Sequence, residues 1–166
     1  SFPTRRSSDL TIPYEDASFD LVLANHVLFY CEDIDTASAE IARVLKPGGV
    51  FLCSTYGKEH MKEISQLVSS FDDRIVLSST SLYDCFGKEN GTDILAPHFS
   101  QITWRQYEDY LTIPEPEPLI SYILSCHGNQ NQYILEHYKE FAAYVKKKTT
   151  PSLHVTKDAG CFLCTK

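Results

Sequence analysis

The 166 residues, 43% of them apolar and 12% aromatic, supply enough large side chains for one buried core and exclude a disordered chain. Fifteen Lys and Arg against 22 Asp and Glu give a formal charge of −7, opposite in sign to the footprint of a nucleic-acid binder. No stretch reaches the roughly 18 apolar residues of a membrane span, and no apolar segment follows the N-terminal arginines, so a cytoplasmic protein without membrane association is expected.

Residues 1–10, Ser-Phe-Pro-Thr-Arg-Arg-Ser-Ser-Asp-Leu, fit no periodic pattern and resemble the translation of a sequencing adapter. They are set aside as a non-native segment, with residues 11–166 as the domain proper and native sequence before Thr11 expected to be missing. Removing Arg5, Arg6 and Asp9 takes the charge from −7 to −8, so the argument from charge is unaffected.

After a polar connection over 11–18, the apolar run Phe19 to Ala24 predicts a buried parallel strand. Asp35 is placed to cap a helix carrying Ala37, Ile41, Val44 and Leu45 at helical spacing, with Lys46 in its last turn and Pro47-Gly48-Gly49 as its stop. Val50 to Thr55 predicts a second buried strand, completing a βαβ unit with parallel strands. Met61, Ile64, Leu67, Val68 and Phe71 mark one face of a further helix, and 75–77 a short extended piece. Ile94, Leu95 and Phe99 suggest a short helix, and residues 101–113 read as one long strand rich in aromatic and β-branched residues. Pro114, Pro116 and Pro118 break the chain before a helix on Leu119, Tyr122, Ile123 and Cys126. Residues 133–148 read as a single helix with Ile134, Tyr138, Phe141, Ala142 and Val145 inward, its closing Lys146 to Lys148 favoured by the helix dipole. Residues 153–156 and 161–165 read as two extended pieces joined by a tight turn around Asp158-Ala159-Gly160.

Six cysteines are scattered over these elements, four inside apolar runs, as reduced structural thiols would be. Cys161 and Cys164 lie three apart on a strand and so on opposite faces, where they do not share a zinc ion, and no second pair completes a tetrahedral set. No metal is expected. His98, His127, His137 and His154 have no ligand spacing.

Ile12-Pro13-Tyr14, Ser18 to Leu28 and above all Glu40-Ile-Ala-Arg-Val-Leu-Lys-Pro-Gly-Gly49 resemble the second half of class I S-adenosylmethionine-dependent methyltransferases of the type 11 group. The match is dense over 10–57 and looser beyond. It implies an α/β fold, the C-terminal half of a Rossmann-like sheet with strands 4, 5, 6 and 7 and helical insertions. It implies S-adenosylmethionine as cofactor and methyl transfer to an unidentified acceptor, expected to be a small molecule. The glycine-rich loop after strand 1, the ribose-binding acid after strand 2 and the residue beside the adenine after strand 3 have no counterpart here. Glu15 and Asp16 come too late to replace the last. An inactive fragment of an active parent is therefore the expectation.

Ligands of open parallel sheets sit beyond the carboxyl ends of the strands. By resemblance, the backbone of Ala24, Asn25 and His26 lies beside the cofactor's methionine and ribose, with Asn25, His26 and Tyr30 facing the substrate. Thr55 and Tyr56 hold the equivalent place after the second strand and His60 follows them as further substrate-side candidates, with packing or surface exposure the competing reading for Tyr30, Tyr56 and His60. His26, placed just past the first strand, is the candidate base or acceptor-orienting group, with Tyr30 the other catalytic candidate. A histidine that only bonds its neighbouring loop is the competing reading, because methyl transfer does not always need a base. The cluster Phe99, Trp104, Tyr107 and Tyr110 is read either as packing or as cover for an acceptor pocket. Two other classes stay open: a nucleotide-binding oxidoreductase, which needs a Gly-x-Gly-x-x-Gly turn that this sequence lacks, and a non-catalytic binding or scaffold module.

Overall fold

In the computed structural model, which describes residues 11–78 and 81–166, chain order runs β1 (Phe19–Asn25), a 3-10 turn (Leu28–Tyr30), α1 (Ile34–Val44) and β2 (Leu45–Tyr56). Then come α2 (Lys62–Phe71), α3 (Leu82–Cys85), α4 (Gly91–Leu95), β3 (Gln101–Gln106) and β4 (Tyr110–Ile113). The chain ends with α5 (Pro116–Ser125), α6 (Gln130–Ile134), α7 (Tyr138–Lys148), β5 (Leu153–Thr156) and β6 (Ala159–Thr165). These elements divide between two units, one built from the described residues up to Lys58 with Leu82–Tyr107 and Ala159–Lys166, the other from Glu59–Ser81 and Glu108–Asp158.

The first unit holds a sheet of order β1-β2-β6-β3, with β1 parallel to β2, and β6 antiparallel to both β2 and β3. In the strand numbers of the resemblance this is 4-5-7-6. Alternation sends Phe51, Cys53, Phe162 and Cys164 to one face, where all four are fully buried with Ile41, Leu45, Phe86, Leu95 and Phe99. Cys161 falls on the other face of β6 from Cys164, as its three-residue spacing requires.

Several expectations are corrected. Asp33, not Asp35, caps α1: its Oδ1 accepts from the Thr36 amide at 2.9 Å, and Asp35 instead meets His98 Nε2 at 2.7 Å. The helix stops at Val44, and Lys46 to Gly49 open β2: pairing steps from Phe19↔Leu45 to Leu21↔Val50, so β2 loops out the intervening residues. Gly48 turns there at φ +75°, and a Cβ on Gly49 would stand 2.9 Å from the Lys46 carbonyl oxygen. The single strand expected over 101–113 is two strands in different sheets, β3 pairing with β6 and β4 with β5. For the same reason β5 and β6 are not a hairpin. Residues 135–137 interrupt the helix expected over 133–148, with no glycine or proline to mark the break, and 75–77 form no strand.

The Glu40-to-Gly49 block has a structural explanation. Arg43 joins Glu40 through Nε at 2.8 Å and Nη2 at 2.9 Å, and reaches Asp16 Oδ1 at 2.7 Å and the Tyr14 carbonyl at 2.9 Å through Nη1. Glu40 Oε2 also accepts from the Ile12 amide at 3.0 Å. Together they tie the connection before β1 to α1, and so fix where β1 begins. Asp16 thus pairs with Arg43 from an exposed position in that connection.

The second unit packs Ile64, Leu67 and Val68 of α2 against Ile120 and Ile123 of α5 and Phe141 and Val145 of α7. Its two-stranded sheet is fastened to α2 by the Glu63 carboxylate, whose Oε2 accepts from the Thr156 amide at 2.9 Å. Among the described residues no helix is long and apolar enough to cross a membrane.

Candidate functional site

Parallel pairing brings the carboxyl ends of β1 and β2 side by side, with Asn25 opposite Ser54. Beyond that pair the chain turns through His26 at φ +50°, a left-handed conformation costing a residue with a Cβ roughly 1–2 kcal/mol. The turn is held by Ser54, whose carbonyl and Oγ accept from the His26 amide at 3.2 and 3.1 Å. Strain maintained in this way is characteristic of working positions. Ala24 is buried in the sheet, whereas Asn25 and His26 are exposed at the strand end.

The 3-10 turn sinks Leu28 and Phe29 into the core and leaves Tyr30 70% exposed. Phe29 and Tyr30 meet edge to face at 4.7 Å between centroids. Tyr56, at the end of β2, is the hub of the ring cluster: Phe29 lies 5.5 Å away, His26 6.4 Å and Tyr83 6.4 Å. Burial pushes the neighbouring Cys31 thiol up, which keeps it protonated and poorly nucleophilic.

Thr55 departs from its expected role. Its side chain is fully buried, and its Oγ1 donates to the Phe86 carbonyl at 2.7 Å. That bond, with the Lys88 amide donating to the Tyr56 carbonyl at 3.2 Å and the Lys58 amide to Glu89 Oε1 at 3.2 Å, lays the α3–α4 segment along the end of β2. The result is a cleft of about 310 Å³ lined by Lys58, Tyr83, Asp84, Glu89 and Asn90.

The structure therefore gathers Asn25, His26, Tyr30 and Tyr56 around one strand-end pair, and uses Thr55 as a strut. His60 belongs to the second unit, half-buried in the turn that leads into α2. Ser54, Phe29 and Tyr83 complete the site unannounced. Ser54 was hidden inside an apolar run, and Tyr83 sits on a four-residue helix too short for any periodicity. Trp104 packs on Phe162 in the core at 4.8 Å, which takes it out of any acceptor pocket.

A larger cleft of about 520 Å³ lies wholly in the second unit, where four of the charged or titratable side chains in its lining pair with one another. Arg74 covers the Tyr133 ring at 4.6 Å and pairs with Asp72 at 2.6 Å, and His137 meets Glu140 at 2.9 Å. No group of three or more His, Cys, Asp or Glu among the described residues is arranged to hold a metal ion.

Residues 3–53 match the family model described as a methyltransferase domain. That range begins inside residues 1–10, which lie outside the described residues. Over 67 residues the chain is 37% identical to a malonyl-[acyl-carrier protein] O-methyltransferase of Methylovorus sp. (strain MP688), covering 40% of this chain and 23% of that protein. Over 62 residues it is 39% identical to a like-named protein of Nitrosospira multiformis, covering 37% of this chain and 20% of the other. The chain thus matches about a fifth of the length of these relatives. The crystal structure of the YcgJ protein of Bacillus subtilis superposes with a TM-score of 0.51 at 15% identity, over 95% of this chain and 68% of that one, and shows the fold to be shared.

Proposed function

We propose, from the match of residues 3–53 to a methyltransferase-domain model, that the protein transfers a methyl group from S-adenosylmethionine to a small molecule in the cytoplasm. The observation that carries this reading is the left-handed turn at His26, pinned to Ser54 at the carboxyl ends of a parallel strand pair. A turn of that kind aims backbone and side chains into the space where sheets of this type bind ligands.

The residues present fit one side of the donor. Asn25 and His26 offer polar groups at the strand end, and the half-buried Tyr56 ring beside His26 offers a π-face that tolerates a sulfonium. When bound, S-adenosylmethionine supplies an electrophilic methyl group. What remains for the protein is orientation and proton management, because displacement at a methyl carbon needs donor and acceptor in line. Asn25 and the His26 backbone hold the donor's methionine and ribose side. The His26 imidazole takes the acceptor's proton, and the Tyr30 phenol orients the acceptor. Six free thiols support a reducing compartment.

The relatives' names suggest one rival acceptor, a carrier-bound malonyl carboxylate. A protein with the turn but no methyl transfer would be a binding module.

Titration of S-adenosylhomocysteine into the isotope-labelled chain, followed by amide NMR, tests the reading. Saturable shifts centred on Asn25, His26 and Ser54 are expected, weakened several-fold in Asn25→Ala. The affinity should be modest, since no glycine-rich strand-to-helix turn contributes. A folded chain whose strand-end amides do not respond would sink the proposal.

A further inference from the structure

We infer that Ser54 is a positioning residue of the strand-end site, its hydroxyl holding the Asn25–His26 peptide plane at the setting that keeps His26 left-handed. The occupant used in the test rests on the methyl-transfer reading; the conformation does not.

Ser54 brings a hydroxyl into the apolar run Val50-Phe-Leu-Cys-Ser54. Alternation puts it on the face of β2 opposite Phe51 and Cys53, where Leu52 is half-buried and its β1 partner Leu23 is exposed, yet Ser54 itself is only 5% exposed. The backbone of the turn is bonded to it: its Oγ accepts from the His26 amide at 3.1 Å, and its carbonyl accepts from the same amide at 3.2 Å. The two bonds are not equivalent. The carbonyl continues the parallel β1–β2 ladder, and a ladder acceptor is present whatever side chain stands at that position. The hydroxyl belongs to the side chain and is lost with it.

A φ angle is set by the peptide planes on either side of the residue. After His26, the chain is anchored by Leu28 and Phe29, both buried in the core; before it, the Asn25–His26 plane is anchored at Ser54. With both ends held, the chain closes through φ +50° at His26. Loosening the first plane permits a coupled rotation of ψ at Asn25 and φ at His26, which relieves the left-handed cost without withdrawing Leu28 or Phe29 from the core. One side-chain hydrogen bond and one left-handed residue with a Cβ are of comparable free energy, so the hydroxyl decides the balance. The rotation redirects the Asn25 carbonyl at the strand end. It also moves the imidazole off the Tyr56 ring, to which it now lies 6.4 Å away between centroids and 26° from parallel.

A comparison of variants in the isotope-labelled chain tests this. A positive φ brings the amide and α protons of one residue close together, so the unsubstituted chain should show a strong intraresidue NOE between them at His26. Ser54→Ala should weaken that NOE and the ring-current shift of the imidazole. It should also raise the Kd for S-adenosylhomocysteine roughly 3- to 10-fold, as the fraction of chains with the competent turn falls. Ser54→Thr, which keeps a hydroxyl, should retain the NOE and the affinity. In the His26→Gly background the left-handed conformation carries no steric cost, so adding Ser54→Ala there should change the Kd by no more than about twofold.

An NOE unchanged by Ser54→Ala, or one that Ser54→Thr loses equally, overturns the inference. So does an equal loss of affinity from Ser54→Ala in both backgrounds, which is what general weakening of the sheet would give. Should Ser54→Ala not fold, Ser54→Cys carries the same comparison with a weaker acceptor. If the unsubstituted chain binds no S-adenosylhomocysteine, the methyl-transfer reading fails, while the NOE and its retention in Ser54→Thr still decide the role of Ser54.

Discussion

His26 combines a strained backbone with an exposed side chain, and the two can be separated by substitution. His26→Gly removes the steric cost of the left-handed turn along with the imidazole, so unfolding free energy should rise by about 1 kcal/mol over His26→Ala in denaturant melts. Both variants should lose transfer rate, on the order of 100-fold or more where the imidazole acts as base. A glycine variant no more stable than the alanine one would mean that the Ser54 contacts, not strain, set the turn. At the opposite end of the sheet, Arg43 beside Glu40 holds that carboxyl down to about 2, helped by the Ile12 amide. A depressed carboxyl pKa stabilises the fold above the unfolded pKa, and the contribution is lost as pH falls from about 4.5 toward 2. Glu40→Gln should therefore lower the thermal midpoint at pH 7 and make its decline between pH 5 and 3 shallower; an unchanged slope would reject this clamp as an acid-sensitive tie.

At the scale of elements, legibility followed locality. β1, α1 and β2 were readable because each carries its own period and its partners lie within forty residues. The ends of the two strands, at Asn25 and Tyr56, were readable for the same reason. What failed was everything that depends on which strand pairs with which. Residues 101–113 are rich in aromatic and β-branched residues along their length, yet Gln106 is paired with Gly160 and Tyr110 with Thr156 in another sheet. Thr55 looked like a substrate contact because it ends a strand, but Phe86, thirty-one residues on, takes its hydroxyl. Tyr83 entered the site through the same long-range contact, which no local period encodes.

At the scale of the whole molecule, β1 and β3 are the two edges of the four-stranded sheet among the described residues, and β1 is the more apolar. Among the described residues it pairs on one side only, with β2, and Leu21 and Leu23 are 52% and 58% exposed. An apolar edge strand with free backbone groups is a template for edge-to-edge association. Leu23→Lys should raise the monomer fraction in size-exclusion chromatography with light scattering at equal protein concentration. Unchanged association in that variant would place the sticky surface elsewhere.

The sequence by itself determined the α/β class, the parallel β1–β2 pair and where those two strands end, because burial periodicity and turn residues act over short stretches of chain. It also carried the resemblance of the Glu40-to-Gly49 block, whose physical basis is the tie between α1 and the connection before β1. Tertiary structure alone decided that the last strand enters between β2 and β3, that the middle of the chain serves two sheets, and that Tyr83 faces Tyr56. These are pairings between residues far apart in the chain, and their free energy depends on closing long loops and filling shared cores, quantities that no local window of residues contains.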